Sequence, residues 1–337
     1  MQIVVTGGLG FIGSHTVVEL QNVGYEVIVI DNLSNSSIDV LGGIERITGK
    51  QPIFEQIDLR EKAAVQAFFT KYTEVTGVIH FAASKAVGES VQNPLLYYEN
   101  NIASLVYLLQ ELQKKPEAHF IFSSSCTVYG QAEMMPIAET TPIQAAMSPY
   151  GNTKQIGEEI IADVTKVSGL NAILLRYFNP IGAHPSTEIG ELPIGVPQNL
   201  VPFITQTGMG LRKELSVYGN DYPTVDGTCV RDYIHVVDLA KAHVVALQRL
   251  LDKKNETTLE VFNLGTGKGS SVLEVITAFE KVSEQKLPYT IVPRREGDVT
   301  EAYANTEKAN TVLGWKTAAT LEEAIDSAWK WEQKVRR

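Results

Sequence analysis

The sequence is poor in cysteine, with two residues in 337, Cys126 and Cys229. Two isolated thiols make neither a disulfide framework nor a zinc spacing, and they suit a reducing compartment. No run of about 18 apolar residues occurs, so no membrane span is expected. Basic charge is in deficit, 29 Lys and Arg against 39 Asp and Glu, for a net charge of −10. That excludes a general nucleic-acid binder, which needs a basic face. A small phosphorylated ligand stays open, because a few arginines suffice to build a local positive pocket. The six histidines (His15, His80, His119, His184, His235, His243) show no H-E-x-x-H or paired-carboxylate spacing, so no metal site is expected. Repeats, low-complexity tracts and long linkers are missing as well. The opening MQIVVTGG already reads as a strand, with no basic segment and apolar stretch before it. We therefore expect no signal peptide and a cytoplasmic location.

What is present alternates. Hydrophobic content of 44% and charged content of 20% are ordinary for a globular protein, and the length points to one large or two associated domains. Strands are predicted at 2–6, 25–31, 52–59, 76–83, 118–125 and 171–178. Helical patterns at 11–23, 61–72, 93–115 and 148–167 separate them. Strands alternating with helices imply right-handed crossovers and a parallel, doubly wound sheet. Apolar runs without strict alternation fit strands covered on both faces. After Pro180 the chain turns rich in Pro, Gly and Asn until about 230. A helix over 234–251, a strand over 259–265 and helices near 271–283 and 321–335 follow.

TGGLGFIGSH places Gly7, Gly10 and Gly13 between the first strand and helix. G-x-x-G-x-x-G there is a variant of the dinucleotide fingerprint, in which glycines let backbone amides and a helix N-terminus approach a pyrophosphate. Asp31 closes the second strand 18 residues past Gly13. A carboxylate there accepts the ribose hydroxyls and repels a 2′-phosphate, favouring NAD over NADP. Asp58 and Leu59, at the end of the third strand, are weaker candidates for the adenine. The predicted architecture is α/β, a Rossmann-like doubly wound parallel sheet with a smaller α/β substrate domain. Residues 1–180 form the NAD-binding domain and 181–337 mainly the substrate domain, with elements at about 233–265 returning to the first.

FSSSCTVYG puts Ser123, Ser124 and Ser125 at the carboxyl end of the fifth strand, the edge where doubly wound sheets bind ligands. The next helix opens with SPYGNTK, in which Tyr150 and Lys154 lie one turn apart on one face. Chance alone supplies roughly one such pair in a chain of this composition, so the spacing says little by itself. A serine at a strand tip followed by YxxxK, in order after an NAD loop, is far more specific. A tyrosine acts as base near neutrality only if its pKa falls by about three units, roughly 4 kcal/mol. A cation at ~4 Å contributes on the order of 4 kcal/mol at an effective dielectric of ~20. Lys154 is accordingly expected to lower Tyr150. Ser125 would hydrogen-bond the substrate oxygen as it becomes a carbonyl, while Tyr150 takes its proton.

TGGLGFIGSH, DNLSNS, HFAASKAVGES, SSSCTVYG, SPYGNTK, LLRYFNPIGAH, GNDYPTVDGTCVRDYIHVVDLA, FNLGTG and RREGD together resemble the extended short-chain dehydrogenase/reductase superfamily. Within it they are similar to the UDP-glucose 4-epimerases. The resemblance runs nearly end to end. It implies resident NAD and removal of hydride from C4 of a UDP-hexose. The 4-keto sugar then turns over, and hydride returns to its opposite face. It gives Ser125, Tyr150 and Lys154 the catalytic roles. It places Phe11, Ile12, Asp31, Asn32, Leu33, Ser34, Asn35, Ser36, Asp58, Leu59, Phe81, Ala82, Ala83, Ser84, Lys85, Asn100 and Phe178 on the cofactor. Asn179, Asn199, Leu200, Tyr218, Arg231, Tyr233, Arg295, Asp298 and Ala302 fall on the UDP-sugar, with Lys85, Ser125 and Tyr150 shared. The arginines also suit a dianionic pyrophosphate by fork geometry, although either could be a structural ion pair.

Ser84, Cys126 and Asn152-Thr153 depart from the commonest family pattern and remove no catalytic atom. Cys126 is either a reactive thiol or, as the blander reading, a small buried residue. Ala302 stands where the resemblance implies a bulky tyrosine in enzymes confined to plain hexoses. A small residue there implies that UDP-GlcNAc and UDP-GalNAc are also accepted. The resemblance further implies a homodimer joined through the 93–115 and 148–167 helices. Three alternatives stand beside this reading. A nucleotide-sugar 4,6-dehydratase needs an extra acid–base pair, and Cys126-Thr127-Val128 offers no carboxylate. A UDP-glucuronate enzyme matches the RDYIH and RREGD contexts less well. A non-enzymatic NAD-sensing regulator would usually have lost the tyrosine or lysine.

Overall fold

The computed structural model describes residues 1–115, 117–295 and 297–336; Pro116, Glu296 of the RREGD landmark and Arg337 lie outside the described residues. The first half runs β1 (Gln2–Thr6), α1 (Phe11–Asn22), β2 (Glu26–Asp31), α2 (Val40–Thr48), β3 (Ile53–Gln56), α3 (Lys62–Lys71) and β4 (Val75–His80). Then come α4 (Val87–Gln92), α5 (Pro94–Tyr98), a π-helical turn (Glu99–Ala103), α6 (Ser104–Leu112), β5 (His119–Ser125), a 3₁₀ turn (Cys126–Tyr129), α7 (Pro149–Val167) and β6 (Asn171–Tyr177).

The second half holds β7 (Asn179–Ile181), α8 (Leu200–Gly208), β8 (Leu215–Tyr218), β9 (Val230–Arg231), β10 (Tyr233–His235), α9 (Val236–Leu251) and β11 (Leu259–Leu264). It ends with β12 (Ser270–Ser271), α10 (Val272–Ser283), β13 (Tyr289–Val292), β14 (Glu301–Ala302), a second π turn (Ala309–Leu313) and α11 (Leu321–Val335).

Seven strands make one sheet in the order β11-β6-β5-β4-β1-β2-β3, every pair parallel. The chain reverses direction across the sheet between β1 and β4. There, loops leaving neighbouring strands diverge and open a crevice at the carboxyl edge. Successive residues feed opposite faces. Ile3, Val5, Val29, Ile79, Ile121 and Ile173 pack on one side against α1 and α9. Val4, Ile28, Val78, Phe120, Ala172 and Leu174 pack on the other against α3, α6 and α7. Both faces are buried, which is why these strands show no polar alternation.

Three short sheets lie beyond the main one: β10 with β7, β9 between β12 and β14, and β13 with β8. A separate core of Ile181, Val201, Ile204, Val217, Phe279, Ile325 and Trp329 packs beneath them. Capping boxes start α10 at Ser271 with Glu274 and α11 at Thr320 with Glu323, so each helix begins where its sequence supplies the donor–acceptor pair. Among the described residues no helix is long and apolar enough to cross a membrane.

Several boundaries differ from expectation. The 93–115 pattern is a helix with the π turn inserted, and the extra residue throws Asn100 and Asn101 inward. The third strand stops at Gln56 because Asp58 turns the chain by accepting the amide of Arg60 at 2.9 Å. Ile234 and His235 belong to β10, with α9 starting only at Val236. The helix α2 was not read from the sequence at all.

Candidate active site

The β1–α1 turn is held open by two glycines. Gly7 has a φ of +66°, and a Cβ on Gly13 would sit 2.2 Å from the Gly7 carbonyl oxygen. Gly10 caps α1 without a side-chain partner, and the first turn carries no acidic residue. Its amides are left for an anion, so the cradle fits a dinucleotide pyrophosphate. Phe11 and Ile12 begin that helix.

Asp31 ends β2, buried, and accepts from the Leu9 amide at 3.1 Å, the Leu33 amide at 2.9 Å and the Ser36 hydroxyl at 2.8 Å. A carboxylate has about four acceptor positions, so it retains capacity for a ribose hydroxyl. Asn32 bridges to Asp58 at 3.3 Å and orders Ser34 at 3.0 Å, with Asn35 in the same loop. Arg60 grips Asp58 at 2.7 Å and holds its carboxyl down at about 2. Leu59 is different: its side chain is in the core, leaving only its backbone to face a ligand.

The loop after β4 carries Phe81 to Lys85. The Thr6 hydroxyl accepts from the Ala82 amide at 3.3 Å, and Phe81 packs on His243 with centroids 4.7 Å apart. From the π turn, Asn100 donates to the Ser84 hydroxyl at 3.0 Å. Asn101 clamps the loop by accepting the Ser84 amide at 2.8 Å and donating to the Ser84 carbonyl at 3.0 Å. It also donates to the Thr153 hydroxyl of α7 at 3.0 Å. Asn101 was not read from the sequence, and only a π turn reveals its inward direction.

Ser148 caps α7 by accepting the Gly151 amide at 3.1 Å, and Pro149 occupies the first helical position. That start places Tyr150 in the first turn and Lys154 one turn on. The three serines of β5 then divide the work. The Ser123 carbonyl accepts from the Lys154 ammonium at 2.7 Å. The Ser124 hydroxyl donates to Glu158 at 2.5 Å. Ser125 faces the Tyr150 hydroxyl and accepts the Thr127 amide at 3.2 Å, which caps the following 3₁₀ turn.

Within the chain itself, burial dominates at Tyr150. Burial pushes its phenol up to about 12, and the Ser125 hydrogen bond only works against that. The ammonium stands 5.9 Å from the tyrosine ring centroid and is spent on the Ser123 carbonyl. Desolvating a phenolate outweighs a cation so placed. Burial also brings Lys154 down to about 8, with Glu158 opposing. Cys126 is only half-buried, but its surroundings raise the thiol to about 11, which disfavours a reactive thiolate.

Across the crevice, Asn179 pairs with Tyr233 in the β7–β10 ladder, and Phe178 is buried beside Val128, Ala302 and Ala304. Ala302 is register partner to Arg231. Asp298 gathers both arginines: Arg295 donates to it at 2.8 and 3.2 Å, and Arg231 stands 3.7 Å away. The Arg295 guanidinium lies 5.4 Å over the Tyr218 ring. Asn199, ahead of Leu200 at the start of α8, donates to Glu191 at 2.7 Å, and Lys85 reaches the same carboxylate at 3.7 Å. Glu191 thus joins the loop after β4 to the far wall. It lies in the Pro- and Gly-rich stretch, where no periodicity marks it. Asp232, fully buried, accepts from the Thr266 amide and hydroxyl, the Gly267 amide and the Ala304 amide at 2.7–3.1 Å. It ties β9 and β14 to the end of β11.

The geometry brings the glycine cradle, the serine tip and Tyr150–Lys154 to one edge of the sheet, with the two arginines facing them. A family model described as GDP-mannose 4,6 dehydratase matches residues 4–328. The UDP-glucose 4-epimerase of Bacillus subtilis is 50% identical over 98% of this chain and 97% of its own length. The chain belongs to the UDP-glucose 4-epimerase family. Solved members superpose closely. One is the epimerase of Stenotrophomonas maltophila with bound NAD and formylated UDP-arabinopyranose. It has a TM-score of 0.96 and 46% identity, over 100% of this chain and 99% of that one. Another is the epimerase of Bifidobacterium longum in complex with NAD⁺ and UDP. It has a TM-score of 0.94 and 46% identity, over 99% and 98%. The family model spans dehydratases too, but the turn after β5 is Cys126-Thr127-Val128, without the carboxylates a dehydration needs.

Proposed function

We infer that this chain is an NAD-dependent isomerase that interconverts UDP-glucose and UDP-galactose at C4. The observation that carries the reading is Ser125 and Tyr150 facing each other at the carboxyl edge of β5. They do so in a chain half identical to a UDP-glucose 4-epimerase. When bound, NAD supplies the reversible hydride acceptor that C4 requires, so the sugar passes through a 4-keto form without net oxidation. Gly7, Gly10, Gly13 and Asp31 would hold it. Tyr150 takes and returns the proton of the C4 hydroxyl, and Ser125 hydrogen-bonds the oxygen as it becomes a carbonyl. Lys154 would work against the burial that otherwise holds the phenol protonated, and a bound oxidised nicotinamide would add its charge. Arg231 and Arg295 hold the pyrophosphate, and Asn179, Asn199 and Tyr233 line the remaining UDP-sugar path.

The division of labour follows the chain: residues 1–180 carry the cofactor, 181–337 mainly the UDP-sugar, and about 233–265 rejoin the first part. Small, buried Ala302 leaves space for a 2-acetamido group, so UDP-GlcNAc and UDP-GalNAc are further substrates. Val87, Val91 and Leu95 present apolar side chains to solvent beside α7, which supports a homodimer through these helices. Unpaired Cys126 and Cys229 suit the cytoplasm.

The test is conversion of UDP-galactose by purified protein without added NAD, with released NAD quantified after denaturation. Turnover with about one NAD per chain is the expected result. Folded, NAD-loaded protein that leaves UDP-galactose untouched would overturn the reading in favour of a sister sugar or an NAD-sensing regulator.

A further inference from the structure

Behind Tyr150 and Lys154 lies a charged cluster that the reaction as described does not use. Glu158 follows Lys154 by one turn on α7, and both are buried, as is Arg176 of β6. The Glu158 carboxylate accepts Arg176 Nε at 2.9 Å and Nη2 at 2.5 Å, and the Ser124 hydroxyl at 2.5 Å. Arg176 also donates to the Tyr129 hydroxyl at 2.9 Å, which donates to Asn263 of β11 at 2.7 Å. The Glu158 carboxylate thus accepts three hydrogen bonds. Yet a buried ion pair is poor stabilisation, since well-packed apolar residues of similar volume often do as well or better. Its position one turn from the active lysine invites a different account.

The groups facing Lys154 and its neighbours narrow that account. From β4, His80 is neutral, driven down by burial and by the lysine charge. From β6, burial raises the Tyr177 phenol, and from the 3₁₀ turn it raises Tyr129 and Cys126. Tyr150, on α7 itself, is held neutral in the same way. Arg176 is cationic and matched by Glu158. Among the described residues in this surround, Glu158 is the anion, and it alone favours the charged lysine.

We propose that Glu158 is a positioning residue for the C4 proton transfer: its carboxylate keeps the Lys154 side chain charged while seating the β5 tip against α7. The proposal rests on the epimerase reading for its consequence but not for its measurement. A purely structural brace would act through Arg176 and Glu158 alike. A charge effect separates them, because removing the anion and removing the cation act on Lys154 in opposite directions.

The experiment is an NMR titration of 13Cε-lysine-labelled protein, with the Lys154 signal assigned by its loss in Lys154→Met. It is run on wild type, Glu158→Gln, Arg176→Gln and the neutral pair Glu158→Gln/Arg176→Gln. The Lys154 midpoint should fall by about one pH unit in Glu158→Gln, stay or rise in Arg176→Gln, and lie between these two in the neutral pair. The alkaline limb of kcat for UDP-galactose should move with it. An unchanged midpoint in Glu158→Gln, or an equal fall in Arg176→Gln, overturns the proposal. So does failure of the neutral pair to fold, because the cluster would then serve the fold itself. Wild type that titrates as expected but does not epimerise would sink the functional reading and leave this one standing.

Discussion

The Lys154 ammonium donates to the Ser123 carbonyl at 2.7 Å, and Ser123 stands two residues before Ser125 on the same strand. The lysine is therefore fastened to the backbone of the strand whose tip carries the serine facing Tyr150. Strand register and helix start together set the distance between base and substrate oxygen. Neither is adjustable without disturbing the sheet.

Substituting Gly13 by alanine should disable cofactor retention. Its Cβ would meet the Gly7 carbonyl oxygen at 2.2 Å, against backbone that cannot swing away as a side chain does. The turn must open, and the cradle of amides opens with it. We expect Gly13→Ala to release less than a tenth of the wild-type NAD on denaturation, with thermal stability lowered by about 1–3 kcal/mol. Full NAD content would show that the turn tolerates the methyl.

Acid should weaken the fold well above the carboxylate range. His15 and His80 are pulled down to about 3 and His243 to about 4, all chiefly by burial, and the Nε2 atoms of His15 and His243 have no hydrogen-bond partner among the described residues. Their folded pKa values lie below the unfolded value, so the unfolded chain binds more protons as pH drops below about 6.5. The stability they confer is complete above that point and is lost as pH falls toward 3–4. Each contributes a slope of ~1.4 kcal/mol per pH unit, or about 2 kcal/mol by pH 5. Denaturant unfolding at pH 7 and 5 should show this loss, and His243→Gln should reduce it by about one histidine's share.

Arg295→Met should raise KM for UDP-galactose by roughly ten- to a hundredfold with a smaller change in kcat. A charge-assisted contact of ~1.5–3 kcal/mol is removed at a group remote from C4. The same variant leaves Asp298 facing Arg231 alone, at 3.7 Å. Steady-state kinetics at two salt concentrations checks both the size and its electrostatic origin. A loss confined to kcat would place Arg295 elsewhere in the reaction.

Ala302 is buried among Val128, Tyr129, Ile137 and Phe178. Ala302→Tyr adds a ring to that corner and should abolish turnover of UDP-GalNAc while leaving UDP-galactose within about tenfold of wild type. Equal effects on both sugars would show that the 2-substituent does not lie here.

Much of this was legible because local chemistry and global topology agree. The glycine turn, Asp31 and YxxxK each sit where the sheet order delivers them, and the unbroken apolar strands announce two covered faces. What stayed hidden depended on direction rather than identity. A helical pattern over 93–115 cannot show the π turn that aims Asn101 at Ser84. Asp232 draws its partners from residues 34 or more positions away, and Glu191 meets Lys85 from 106 positions away. The sequence likewise gives the spacing of Lys154 from Tyr150 but not the Ser123 carbonyl that accepts a hydrogen bond from its ammonium.

The central claim is that Tyr150 carries the proton in a redox-neutral turnover at C4. The most direct measurement compares UDP-galactose conversion by wild type and Tyr150→Phe without added NAD, at equal bound NAD. The account predicts wild-type turnover and a loss of ~10²–10⁴-fold in kcat for the variant. A variant that keeps its NAD and turns over within a few-fold of wild type would contradict it.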